Sequence, residues 1–183
     1  MERRQFLQAL AVAASAAPGG MGQQHETPTV AQDAAARIPR VKEPGELRGE
    51  MLYRELGSTG EKISAIGMGG SHLAKPAITQ AEATRLIHQA VDRGITFMDN
   101  CWDYNDGRSE QFMGEALAQG GYRHKVFLMT KLDGRNTDNA DDQLHDSLTR
   151  LKTDRIDLVQ FHEILRFDDP DRIFRQGAPL RRC

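Results

Sequence analysis

The chain has 183 residues, enough for one domain with a real core. Its formal net charge of −2 gives no electrostatic reason to expect a nucleic-acid partner. Hydrophobic residues at 39% and charged residues at 27% match a soluble globular protein with a polar tail, and no run of about 18 apolar residues reads as a mature membrane span.

The N-terminus carries Arg3-Arg4-Gln5-Phe6-Leu7, an alanine-rich apolar stretch from Ala9 to Ala17, and small residues at Ala14-Ser15-Ala16. Charged region, short apolar region and small-residue cleavage site stand in the order of an export signal. The arginine pair followed by Phe-Leu resembles the twin-arginine type, so residues 1–17 are expected to direct export, periplasmic if the signal is used and cytoplasmic otherwise. Residues 18–50 hold few large apolar side chains and are expected to be a disordered linker. Two cysteines, Cys101 and Cys183, make no disulfide framework and do not fix the redox compartment.

From Leu52 the pattern changes. Leu52–Leu56 and Lys62–Ile66 alternate around Gly57-Ser58-Thr59-Gly60, which predicts a β-hairpin leading into Gly67-Met68-Gly69-Gly70. Thr79-Gln80-Ala81-Glu82 is a capping box. Ala83, Leu86, Ile87, Ala90 and Val91 then form one apolar helix face, and Gly94 is placed to end it. Ile95–Met98 predicts a buried strand ending at Asp99. A second helix is expected from Ser109 through Leu117, stopping at Gly120-Gly121. Val126–Met129 is the next strand, ending at Thr130-Lys131. A third helix is expected over 139–152, with Ala140, Leu144, Leu148 and Leu151 on one face. Ile156–Phe161 is the following strand, ending at His162.

Strand ends recur at intervals of about 30 residues, the signature of βαβ units and a parallel sheet. A closed barrel and an open doubly wound sheet both fit. The polar residues favour the barrel: Asp99, Lys131 and His162 each close a buried strand at its carboxyl end, where barrel active sites collect. An open dinucleotide fold wants G-x-G-x-x-G, and His72 stands where the third glycine belongs.

Four residues can converge on that rim. Hydride arriving at a carbonyl carbon leaves charge on oxygen, so reduction needs a proton donor. Tyr104 is a candidate donor if a cation stabilises its phenolate. Lys131 is a candidate cation, Asp99 a group that holds it, and His162 a donor to the substrate oxygen. Each also has a plainer role: a turn cap, a packing ring, a snorkelling lysine, a structural histidine. The coincidence of four suitable groups at three consecutive strand ends favours chemistry. No metal centre is expected. His162-Glu163-Ile164-Leu165-Arg166 ends in arginine where the zinc motif needs histidine, and an EF-hand frame over Asp103–Gly107 puts Trp102 and Tyr104 at ligand positions.

The segments Gly94–Tyr104, Gly107-Arg108-Ser109-Glu110, Gly114–Leu117, Val126–Lys131 and Leu148–His162 resemble the aldo-keto reductases, over about residues 52–173. The resemblance implies an α/β fold of (β/α)8 TIM-barrel type, preceded by an N-terminal β-hairpin that closes its floor, with about the first four βα units in residues 51–173. It implies NADPH-dependent reduction of aldehydes and ketones to alcohols. Tyr104 would be the acid, Lys131 and Asp99 its tuning pair, and His162 the carbonyl neighbour. Gly70, Ser71 and His72, with Asp99, would border the nicotinamide. That family needs roughly 300 residues, and its cofactor-gripping segments lie mainly on the later strands. Residues 174–183 do not resemble its next helix. The expectation is therefore a truncated or frameshifted copy with impaired activity, diverging near Arg175. The alternative is a non-catalytic half-barrel without cofactor binding. Either would carry exposed strand edges suited to self-association.

Overall fold

The computed structural model describes residues 45–174. The expected export signal, most of the expected linker and the divergent tail from Arg175 onward lie outside these residues. Two sheets are present. An antiparallel one takes β1 (Glu46–Arg48), β2 (Met51–Glu55) and β3 (Lys62–Ser64) in that order. A parallel one takes β4 (Gly67–Gly69), β5 (Phe97–Asp99), β6 (Phe127–Leu132) and β7 (Leu158–Phe161), also in sequence order.

Strand β1 corrects the expected linker boundary at residue 50. Arg48 pairs with Met51 across a two-residue connection, and Gly49, at φ +61°, takes its first central position. A positive φ there suits glycine and matches the strand twist, so the hairpin forms although its three β1 residues stay exposed.

The helices alternate with the parallel strands: α1 (Gln80–Asp92), α2 (Arg108–Leu117), α3 (Thr137–Arg150) and the short α4 (Asp169–Phe174). The capping box holds as read from sequence: Thr79 Oγ1 accepts from the Glu82 N–H, and the Glu82 carboxylate accepts from the Thr79 N–H. Gly94 follows α1 at φ +95°. Strand order β4-β5-β6-β7 contains no switch point, and α1 packs on α2 and α2 on α3. A doubly wound sheet reverses its order midway and puts helices on both faces; this unit winds in one sense only, as a barrel wall does.

Register sets which side chains face which layer. Met98 aligns with Leu128, and both are fully buried under the helices with Ile87, Met113, Leu117 and Leu151. Because side chains alternate along a strand, Asp99 and Lys131 point to the opposite face. Two expectations change in detail. Leu86 was expected in the apolar face but is exposed; the buried stripe of α1 is Ala83, Ile87 and Val91, at i, i+4 and i+8. Strand β6 runs on to Leu132, because Lys131 and Leu132 pair with Gln160 and Phe161 of β7. Lys131 therefore lies within a strand, not after one.

The antiparallel sheet is fastened at the opposite end of the parallel strands. The Tyr53 hydroxyl donates to the Gly94 carbonyl at 2.6 Å. Ser64 Oγ accepts from the Thr96 and Phe97 N–H groups at 2.9 and 3.2 Å, while the Ser64 N–H donates to Thr96 Oγ1 at 3.0 Å. These contacts fix the start of β5 and leave its carboxyl end free for the site.

Candidate active site

The site lies at the carboxyl ends of β5, β6 and β7. Lys131 Nζ donates to Asp99 Oδ1 in a close ion pair and to the Asn100 carbonyl at 2.9 Å. Its side chain is 12% exposed, so the ammonium is largely withdrawn from water yet doubly satisfied. The same Nζ stands 5.1 Å from the centroid of the Tyr104 ring. Tyr104 and His162 meet edge to face, with centroids 5.7 Å apart and planes at 81°. The four predicted catalytic residues are thus brought together on one rim.

Local backbone explains how Tyr104 gets there. Asn105, Asp106 and Gly107 are three consecutive residues with positive φ, at 53°, 55° and 81°. Such a run is costly for non-glycine residues and persists only where side chains hold it. Asn105 Nδ2 donates to the Ser71 carbonyl at 2.9 Å and to Ser109 Oγ at 2.7 Å. A side chain at Gly107 would collide with the Arg150 guanidinium, 2.5 Å from an ideal Cβ. The turn delivers the chain from the β5 end to the start of α2 with Tyr104 on the inner side.

Beneath it lies a buried polar brace. Glu110 is fully buried, and its Oε1 accepts from Thr130 Oγ1 at 2.6 Å. Arg150 Nη1 lies 3.6 Å from Glu110 Oε2 and donates to the Trp102 carbonyl at 2.9 Å. Burial pushes the Glu110 carboxyl above its ordinary range, offset in part by Thr130 and Arg150. The Gly107-Arg108-Ser109-Glu110 stretch is therefore an architectural motif that secures the tyrosine loop.

His162 is placed by its backbone. Its N–H donates to the Leu132 carbonyl at 2.8 Å, and its own carbonyl accepts from Arg135 Nη2. Arg135 Nε lies 3.6 Å from Asp169 of α4. His162 Nδ1 sits 3.3 Å from Cys101 Sγ and 3.4 Å from Asp133 Oδ1. Burial pushes the Cys101 thiol up to about 12, so it is a neutral thiol at physiological pH and no nucleophile. Burial and the neighbouring Asp103 charge raise the Asp133 carboxyl as well.

The predicted cofactor-side residues reach the same rim, with different roles. The Gly70 N–H donates to the Asp99 carbonyl at 2.7 Å, extending the parallel ladder. An ideal Cβ on Gly70 would fall 2.6 Å from the Asn100 amide, so packing against Asn100 accounts for this glycine. The Ser71 carbonyl is taken by Asn105, and His72 is exposed. Sequence reasoning missed Asn100, Asn105, Cys101, Asp133 and Arg135. The Asn105-Asp106-Gly107 run was a visible turn signal; each of the others also meets partners distant in sequence, which no local pattern announces.

Residues 65–175 match the Aldo/keto reductase family. The chain belongs to that family. A 6-dehydroglucose reductase of Novosphingobium aromaticivorans is 38% identical over 124 residues, covering 60% of this chain and 41% of that protein. An aldo-keto reductase of Bacillus subtilis, YhdN, is 33% identical over 125 residues, covering 61% of this chain and 38% of its own length. Among solved structures, a holo-form aldo-keto reductase of Bacillus halodurans superposes with a TM-score of 0.55 at 30% identity, covering 61% of this chain and 40% of that one. The chain thus spans about two fifths of the length of the curated aldo/keto reductases it matches. The likeness shows the (β/α)8 barrel type, of which β4–β7 and their helices are four βα units.

Proposed function

We propose that the rim site reduces aldehydes and ketones to alcohols with NADPH. The observation that carries this reading is the Asp99–Lys131 ion pair set beside the ring of Tyr104, with His162 edge-on to the same ring. A bound reduced nicotinamide would supply the hydride. As charge develops on the carbonyl oxygen, Tyr104 gives it the hydroxyl proton and becomes phenolate. The Lys131 ammonium stabilises that phenolate, and Asp99 keeps the ammonium charged and fixed. The His162 imidazole donates to the substrate oxygen and orients the carbonyl. Ser71, His72 and Asp99 would border the nicotinamide: the Ser71 hydroxyl and His72 imidazole make no hydrogen bond among the described residues and stand beside Asp99 at the strand ends. Gly70 would support them through Asn100.

The Arg3-Arg4 pair and the apolar stretch after it support export of this reductase in folded form to the periplasm. Strands β4 and β7 have open outer edges among the described residues, which supports self-association as its protein contact. Titrating the full chain with NADPH and following cofactor fluorescence tests the reading. Saturable binding is expected. Absence of binding at millimolar cofactor would favour the alternative, a non-catalytic half-barrel.

A further inference from the structure

We propose that Cys101, Asp103 and His162, with Asp133 as fourth neighbour, form a binding site for one thiophilic divalent cation of the zinc class. The proposal stands on its own geometry and does not depend on the reductase reading. Ligand atoms of these residues lie close together at the rim. Cys101 Sγ is 3.4 Å from Asp103 Oδ1 and 3.3 Å from His162 Nδ1, and Nδ1 is 3.4 Å from Asp133 Oδ1. A tetrahedral zinc with one sulfur near 2.3 Å and nitrogen or oxygen ligands near 2.0–2.2 Å holds its ligand atoms about 3.3–3.6 Å apart. Three of the six separations fall in that range, and the ligand atoms of Cys101, Asp103 and His162 all lie within 4.8 Å of one another, so a side-chain shift of about 1 Å closes the set on one ion.

The cluster is also short of protons. Cys101 Sγ lies 3.6 Å from the Lys131 carbonyl as well, so three acceptors surround one S–H. The His162 ring presents Nδ1 to both Cys101 and Asp133. Two carboxylates, a thiol sulfur and an imidazole nitrogen therefore converge at one position of the rim. A cation satisfies such a set better than hydrogen bonds do. Access is open: Asp103 is exposed, while the His162 and Asp133 side chains are 21% and 32% exposed, and the buried thiol forms the floor. The ligands come from three different strand ends, so no linear spacing announces them.

On binding, the Cys101 S–H bond breaks, its proton passes to buffer and a thiolate–metal bond forms. Nδ1 gives its lone pair to the ion, which leaves the ring proton on Nε2.

The test uses the full chain in a Cys183→Ser background, which removes the other thiol. Zn²⁺ alone is titrated calorimetrically, and Co²⁺ alone is followed by absorption. One ion per chain and a near-ultraviolet thiolate-to-cobalt band are expected. C101S should abolish the band and weaken Zn²⁺ at least about tenfold. D103N, at an exposed position, should weaken Zn²⁺ and keep the band. No uptake, a cobalt spectrum without the thiolate band, or unchanged affinity in C101S would overturn the proposal.

Discussion

Glu110 shows how a single side chain can carry a motif without touching substrate. Its carboxyl is raised above 4.5 by burial. The native state therefore holds the proton more tightly than the unfolded chain, and the contribution of this group falls as pH rises from about 4.5 through the folded value. E110Q keeps the shape and removes the titration. The melting temperature of the wild type relative to E110Q should be more favourable near pH 4.5 than near neutrality, measured by calorimetry; a pH-independent difference would contradict the burial argument. Cys101 gives a second check. A thiol held near 12 and fully buried should resist alkylation at mildly alkaline pH in the native chain and react on denaturation, read by mass spectrometry. The proposed catalytic residues were legible in sequence because Asp99, Lys131 and His162 fall at the ends of hydrophobic strands and Tyr104 shares a signature stretch with Asp99. Asn100, Asn105 and Arg135 were not, because their work is to hold other groups: an amide under Gly70, a clamp on a left-handed turn, a donor to the His162 carbonyl.

Helix packing depends on close approaches that composition hides. Gly114 of α2 faces the end of α3, where an ideal Cβ would lie 2.3 Å from the Arg150 carbonyl oxygen. Alanine favours a helix over glycine by about 1 kcal/mol, but overpacking against fixed backbone costs about 1–3 kcal/mol. Gly114→Ala should therefore destabilise, by up to about 2 kcal/mol net, in denaturant titration. It would also move Arg150, which braces the tyrosine loop. Helix α4 rests on an acid. Asp169 Oδ2 accepts from the Leu165 and Arg166 N–H groups at 3.1 and 3.0 Å, and these bonds with Arg135 hold the carboxyl below 3.8. Its contribution is present above that ordinary value and lost as pH falls through the folded one. Amide-exchange protection at Leu165 and Arg166 should fall in acid in the wild type, and should be lower and insensitive to acid in D169N. Strand and helix order was readable from hydrophobic period and caps. The reach of β6 to Leu132 and the existence of β1 were not, because both are set by pairing partners rather than by their own side chains.

At the scale of the molecule, one-sense winding of β4 to β7 puts the ends of β5, β6 and β7 on a common rim, and the antiparallel sheet secures the other end. That arrangement turns three separate sequence positions and one loop tyrosine into a site. The order of strands followed from the βα period, but the choice between a barrel wall and an open sheet rested on where Asp99, Lys131 and His162 fall. The described chain after β7 leaves Ile164, Leu165, Phe167 and Phe174 exposed, in contrast to the filled interior between helices and sheet. The proposed chemistry turns on Tyr104 as proton donor beside the Asp99–Lys131 pair. Its most direct test is NADPH oxidation by the full chain with a panel of aldehydes and ketones, comparing wild type and Tyr104→Phe at equal folded fraction. Carbonyl-dependent oxidation is expected in the wild type, with a loss of about 100-fold or more in Tyr104→Phe. Equal rates in the two proteins, or no carbonyl-dependent oxidation in the wild type, would contradict it.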